Sequence, residues 1–128
     1  MSLNDDPVQA ALQRDLTVDI TTTGRRTGQP RRVEIWFHRV GGRYYLTGIP
    51  GKRDWYANLL ANPRFIFHLK ESARVDLPAL AMPVTDPDER RRILLAADTI
   101  WNRPGEGNVN EWVQHSPLVE IVFDVPQP

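Results

Sequence analysis

Apolar and polar residues alternate over 16–23, where Leu16, Val18 and Ile20 share one face of a segment rich in β-branched residues. The alternation resumes over 32–40, with Val33, Ile35 and Phe37 set against Glu34, Trp36 and His38. It returns over 43–49 after Gly41-Gly42, a two-residue hairpin signal. Between the first two runs, Gly24-Arg25-Arg26-Thr27-Gly28-Gln29-Pro30 reads as a turn, with glycines free to adopt positive φ. Segments 64–70 and 73–84 read as two more strands, and Pro78 and Pro83 in the second predict an edge or a bulge. Segment 118–125, apolar on both faces, predicts a central strand.

Helical spacing separates these runs. A short helix over 7–14 opens on aspartates and Pro7. Asp54 is the expected cap of a helix over 54–61, in which Trp55 stacks over Leu59 and Tyr56 over Leu60, and Asn62-Pro63 stops it. Asp86, Pro87 and Glu89 open another helix, and Ile93, Leu94, Ala97, Ile100 and Trp101 follow its period as far as Arg103-Pro104-Gly105. A short helix is expected over 108–115. The order predicts an α+β, mainly antiparallel, compact barrel of about six strands with three or four short helices, as a single domain over 1–128.

Charge adds what periodicity does not show. The chain carries 16 basic and 16 acidic residues, yet eight basic residues and one acid, Glu34, fall between Gly24 and Arg53. The other 98 residues therefore hold 8 basic and 15 acidic groups. This segregation places a positive field on a turn flanked by threonines. Arginine pairs with phosphate and carboxylate oxygens through planar donors, so a small multianionic ligand is the expected occupant. A solvated basic hairpin carries the same pattern. Neutral total charge and the absence of a recognition motif argue against nucleic acid.

Other chemistries are poorly supported. With no cysteine, disulfides and thiolates are excluded. His38, His68 and His115 lie far apart, so no metal site is expected. No serine sits in a nucleophile elbow. No apolar run nears the roughly 20 residues that cross a bilayer, and no secretory leader is evident, so a cytoplasmic location without membrane association is expected. An anion clamp without a nucleophile or metal suits an organic cofactor that carries the reaction. Trp36, Tyr44, Tyr45, Trp55 and Tyr56 lie near the basic segment and can wall a flat heterocycle or pack the core.

Two stretches carry a resemblance. Thr21-Thr22-Thr23-Gly24-Arg25-Arg26-Thr27-Gly28-Gln29-Pro30-Arg31 resembles the TTxGR(K/R)(S/T)Gxx(R) signature of the deazaflavin-dependent nitroreductase family. Trp55-Tyr56-Ala57-Asn58-Leu59-Leu60-Ala61-Asn62-Pro63 resembles that family's WYxNLxANP signature. The resemblance covers about residues 17–70. It implies a split β-barrel of the pyridoxamine-phosphate-oxidase-like, FMN-binding class. It also implies binding of coenzyme F-420 and hydride transfer to a small organic acceptor such as a quinone, enone or nitroaromatic.

By the same resemblance, Arg25, Arg26, Thr27 and Arg31 would hold the phosphate and glutamate tail. The strand through Val33, Ile35 and Trp36 would face the ring. Trp55, Tyr56 and Asn58 would close the pocket, with Tyr56 as proton donor. The loop before Trp55 is shorter than in the family, and Asp54 stands near its usual proline; Lys52 and Arg53 would compensate as anion ligands. Glu34 falls near the ring, where an unpaired acid would oppose an anionic ligand. FMN is the alternative cofactor, in a split-barrel oxidoreductase, and a non-catalytic cofactor- or anion-binding protein is the other alternative. A homodimer is a further expectation.

Overall fold

The computed structural model describes residues 3–96 and 109–123. Helix α1 (Asp6–Arg14) leads into β1 (Thr17–Thr23), β2 (Pro30–Val40) and β3 (Arg43–Thr47). Helix α2 (Asp54–Ala61) precedes β4 (Arg64–Leu69) and β5 (Val75–Pro83). Helices α3 (Pro87–Ala96) and α4 (Val109–His115) precede β6 (Leu118–Phe123). The strands form a closed antiparallel barrel in the order β1-β2-β3-β6-β5-β4. This is the α+β split-barrel architecture that the alternation and the resemblance predict.

Register converts alternation into an inside and an outside. Val18 pairs with Ile35 and Leu69, Ile20 with Val33 and Phe67, and Phe37 with Leu46, so these residues point inward. Phe67 packs edge-on against both Phe37 and Phe123, at 5.2 Å between ring centroids in each case. Val8, Ala11 and Leu12 of α1 and Leu59 of α2 join this core. A second cluster of Tyr45, Ile93, Leu94 and Leu118 lies under α3 on the outer face. Arg90 ties that layer together, donating to the carbonyls of Val113 (2.6 Å), Val84 (2.8 Å) and Ser116. Burial pushes the Arg90 guanidinium below its ordinary pKa, and the nearby Tyr56 hydroxyl works in the opposite direction.

Two expectations change. β5 is not an edge strand, because it pairs with both β4 and β6. The β5–β6 ladder runs from Ala79 to Pro83, so Pro78 falls just before it and Pro83 at its last pair, where a missing N–H interrupts nothing. Asp54 does not cap α2: the N-cap position is Arg53 and makes no side-chain cap bond. The cap expected at Asp86 does form, with Oδ2 accepting from Glu89 N at 2.9 Å. The helical positions Ala97, Ile100 and Trp101, the stop at Arg103-Pro104-Gly105, Asn108, and the strand end at Asp124 and Val125 lie outside the described residues. Among the described residues no helix is long and apolar enough to cross a membrane.

The barrel opens beside β2. β1 pairs with β2 as far as Thr23 and Pro30, two pairs beyond the last β1–β4 pair, Thr21 with Ile66. On its other side β2 joins β3 only from Phe37 onward. Residues 30–36 of β2 are thus laddered to β1 alone, and Val33 is 39% exposed although it lies on the inward face. Helix α2 packs beside this gap, against β1.

Candidate functional site

The turn between β1 and β2 is shaped by its glycines. Gly24 N donates to Gln29 O at 2.8 Å, and Gly28 N donates to Gly24 O at 2.9 Å. Gly28 has φ 71°, a conformation that disfavours any side chain. Gly24 is needed for space, because a Cβ there would lie 2.8 Å from Thr27 Oγ1 and 3.2 Å from Gln29 O. The tight loop projects Arg25 and Arg26 at its tip. Arg31 shares the inward face with Thr22, its ladder partner.

Helix α2 meets this turn through two asparagines. Asn58 is buried, and its Oδ1 accepts from Arg25 N at 3.1 Å and Arg25 Nη1 at 2.9 Å. Its Nδ2 donates to Thr22 Oγ1 at 3.2 Å. Asn62 Nδ2 reaches Thr23 O at 3.5 Å. Asp54 Oδ1 lies 3.3 Å from Arg25 Nη2. Between the elements lies a cleft of about 350 Å³, lined by Thr22, Gly24, Arg25, Arg26, Thr27, Arg31, Val33, Asp54, Trp55 and Asn58. Its size lies at the low end of small-molecule sites. Three guanidinium groups give it a strongly cationic rim, and Val33 and Trp55 supply apolar wall.

Arg25, Arg26, Thr27, Arg31, Val33, Trp55 and Asn58 are therefore brought together. The other expected site residues lie elsewhere. Ile35 packs against the barrel core. Trp36, opposite Thr17, is on the outer face. Arg53 braces its own loop, donating to Lys52 O at 2.9 Å and Ile49 O at 3.2 Å. Lys52 borders a separate cavity of about 380 Å³ with Pro50, Gly51, Glu111 and His115. Tyr56 stands edge-on to Trp55, at 5.8 Å between ring centroids, and does not line the cleft. Thr22, Gly24 and Asp54 line the cleft in addition to the expected ligand residues; strand alternation alone puts Thr22 on the face of Val18 and Ile20.

Glu34 faces away from the cleft. It pairs with Lys70, which also contacts Asp19 Oδ1 at 2.7 Å, while Asp19 Oδ2 accepts from Arg32 Nε at 2.9 Å. Lys70, helped by Arg32 and opposed by burial, holds the Asp19 carboxyl below the usual range. Asp19 and Glu34 in turn raise the pKa of Lys70. The acid that would have opposed an anionic ligand is thus neutralised outside the barrel. His68 uses both ring nitrogens, with Nε2 2.7 Å from Thr21 Oγ1 and Nδ1 2.7 Å from Asp76 Oδ1. No group of three or more histidine or carboxylate residues able to hold a metal occurs among the described residues.

This geometry agrees with what is known of similar chains. Solved structures of a FAD-binding protein from Mesorhizobium loti (15% identity, 91% of this chain and 84% of that one, TM-score 0.62) and of the F420-H2 dependent reductase FDR-A (23%, 84% and 94%, 0.55) share the fold. F420H(2)-dependent quinone reductases of Mycobacterium tuberculosis strains H37Rv and CDC 1551 are 30% identical over 98 residues, covering 73% of this chain. The match spans 60% of the length of those curated relatives. The model of the F420H(2)-dependent quinone reductase family matches residues 4–116, which include every residue of the cleft. The chain belongs to the F420H(2)-dependent quinone reductase family.

Proposed function

We propose that this protein reduces a quinone-type acceptor with coenzyme F-420 as hydride source. One observation carries the reading: the arginine turn and the indole of α2 border the same cleft. The residues fit the group. Arg26 and Arg31 extend their guanidinium groups to the cleft rim, where they offer donors to phosphate or carboxylate oxygens, and Thr27 adds a hydroxyl. Val33 and Trp55 offer an apolar flank to a planar ring. A cleft of about 350 Å³ holds a ring system and leaves a long anionic tail to run outward over the turn.

Reduced deazaflavin, when bound, supplies a hydride. The chain supplies position and charge. Arg26 and Arg31 hold the anionic groups. Asn58 and Thr22 fix the turn against α2, so that the arginines and the indole keep one spacing. Trp55 shields one side of the cleft from water. Tyr56 does not line the cleft, so we assign proton delivery to water.

Side-by-side fluorescence titration with F-420 and FMN, followed by addition of menadione to the reduced F-420 complex, tests the reading. Micromolar F-420 binding and quinone-dependent oxidation are expected. Preferential FMN binding, or capture of F-420 without oxidation over a panel of quinones, overturns it in favour of a flavin enzyme or a binding protein respectively.

A further inference from the structure

Building on the cofactor reading above, we propose that Asp54 is a counter-anion at the cleft rim that tempers its affinity for anions: an entering phosphate or carboxylate displaces it from Arg25, so Asp54 sets how tightly anions are held.

The two partners of Arg25 are unequal. Toward Asn58, the guanidinium donates at 2.9 Å to an oxygen that also accepts the Arg25 backbone N–H, on a residue only 3% exposed. That bond is built into the junction of turn and helix. Toward Asp54, one contact at 3.3 Å reaches a side chain that is 91% exposed. Charge-assisted N–H···O bonds of full strength are shorter, about 2.7–2.9 Å. A single exposed ion pair of this kind contributes little to folding. Arg25 is therefore held in place by one partner and neutralised, loosely, by the other.

Position makes the loose partner consequential. Asp54 is the one acid among the described residues lining the cleft, beside Arg25, Arg26 and Arg31. It does not cap its helix. A ligand oxyanion seeking Arg25 meets Asp54 on the same guanidinium edge. Binding then exchanges one carboxylate for another anion, with Asn58 keeping the arginine aimed throughout. Repulsion between Asp54 and the ligand persists after the exchange and is screened by salt.

The experiment uses the full chain and two probes, coenzyme F-420 by fluorescence and inorganic pyrophosphate as its competitor, in 20 mM and 500 mM NaCl. Asp54→Asn and Asp54→Ala are each expected to tighten both probes about 5- to 10-fold at low salt, with the gain shrinking below about twofold at high salt. Thermal midpoints are expected to stay within a few degrees of the parent. Arg31→Ala serves as the reference. If Arg31→Ala weakens binding while both Asp54 variants bind as the parent does or more weakly, the counter-anion proposal is overturned and the cofactor reading stands. If Arg31→Ala also leaves binding unchanged, the cleft is not the anion site and both fall.

Discussion

The amide oxygen of Asn58 accepts from both the backbone nitrogen and the guanidinium of Arg25, at 3.1 and 2.9 Å. One buried side chain thus fixes at two points a loop residue that lies 33 positions away in sequence. Replacing Asn58 by Ala leaves Arg25 N and Thr22 Oγ1 without that partner. A loss of about 2 kcal/mol in urea unfolding is expected, with weaker F-420 binding as the turn loosens. Parental stability in Asn58→Ala would show that the contact is not what joins turn and helix.

Arg26→Ala and Arg31→Ala are expected to weaken F-420 by about 1.5–3 kcal/mol each, the range for hydrogen bonds to charged groups. Both side chains are exposed, so unfolding free energy should move by no more than about 0.5 kcal/mol. Isothermal titration beside denaturation separates the two effects. A binding loss that merely tracks a stability loss would refute the assignment.

Tyr56→Phe removes a hydroxyl that lies beside the buried Arg90. It is expected to destabilise the fold by about 1 kcal/mol while the turnover rate with a quinone stays within about twofold of the parent. A collapse of turnover by about two orders of magnitude, at unchanged stability, would instead restore Tyr56 as proton donor.

Acid should loosen the start of β1. Glu71 Oε2 accepts from Leu16 N at 2.8 Å and Thr17 N at 2.7 Å, and these backbone bonds hold its carboxyl below the usual range, as Lys70 does for Asp19. A carboxylate with a depressed pKa in the folded state stabilises above its unfolded value and ceases to do so as pH falls through the folded one. Stability should therefore hold above about pH 4.5 and decline below it. Glu71→Gln should flatten that decline in an unfolding series from about pH 6 to about pH 3. An unchanged slope in both Glu71→Gln and Asp19→Asn would place the acid sensitivity elsewhere.

Much of this molecule was legible in its sequence because the signals are local. Val18, Ile20, Val33, Ile35 and Phe37 announce their strands by alternation, and Gly41-Gly42 announces its hairpin. The two motifs around Arg25 and Asn58 identify the cleft before any coordinate does. The strand order around the barrel was not legible. The pairing of β1 with β4 and the insertion of β6 between β3 and β5 join distant segments, and no periodicity encodes such partners. Asp54 has the spacing of a cap, but an arginine 29 residues away supplies a competing partner. Tyr56 is one residue from Trp55, yet the roughly 100° step of a helix turns it out of the cleft toward α3.

The gap in β2 pairing places the cleft at the margin of the barrel instead of within it. Its floor, Thr22 and Val33, belongs to strands whose inward neighbours, Ile20 and Phe37, are fully engaged in the core. Its walls belong to one turn and the first helical turn of α2, which carry little of that core. A substitution on these walls, such as Asp54→Asn, can therefore retune how the cleft holds an anion while the barrel keeps its shape.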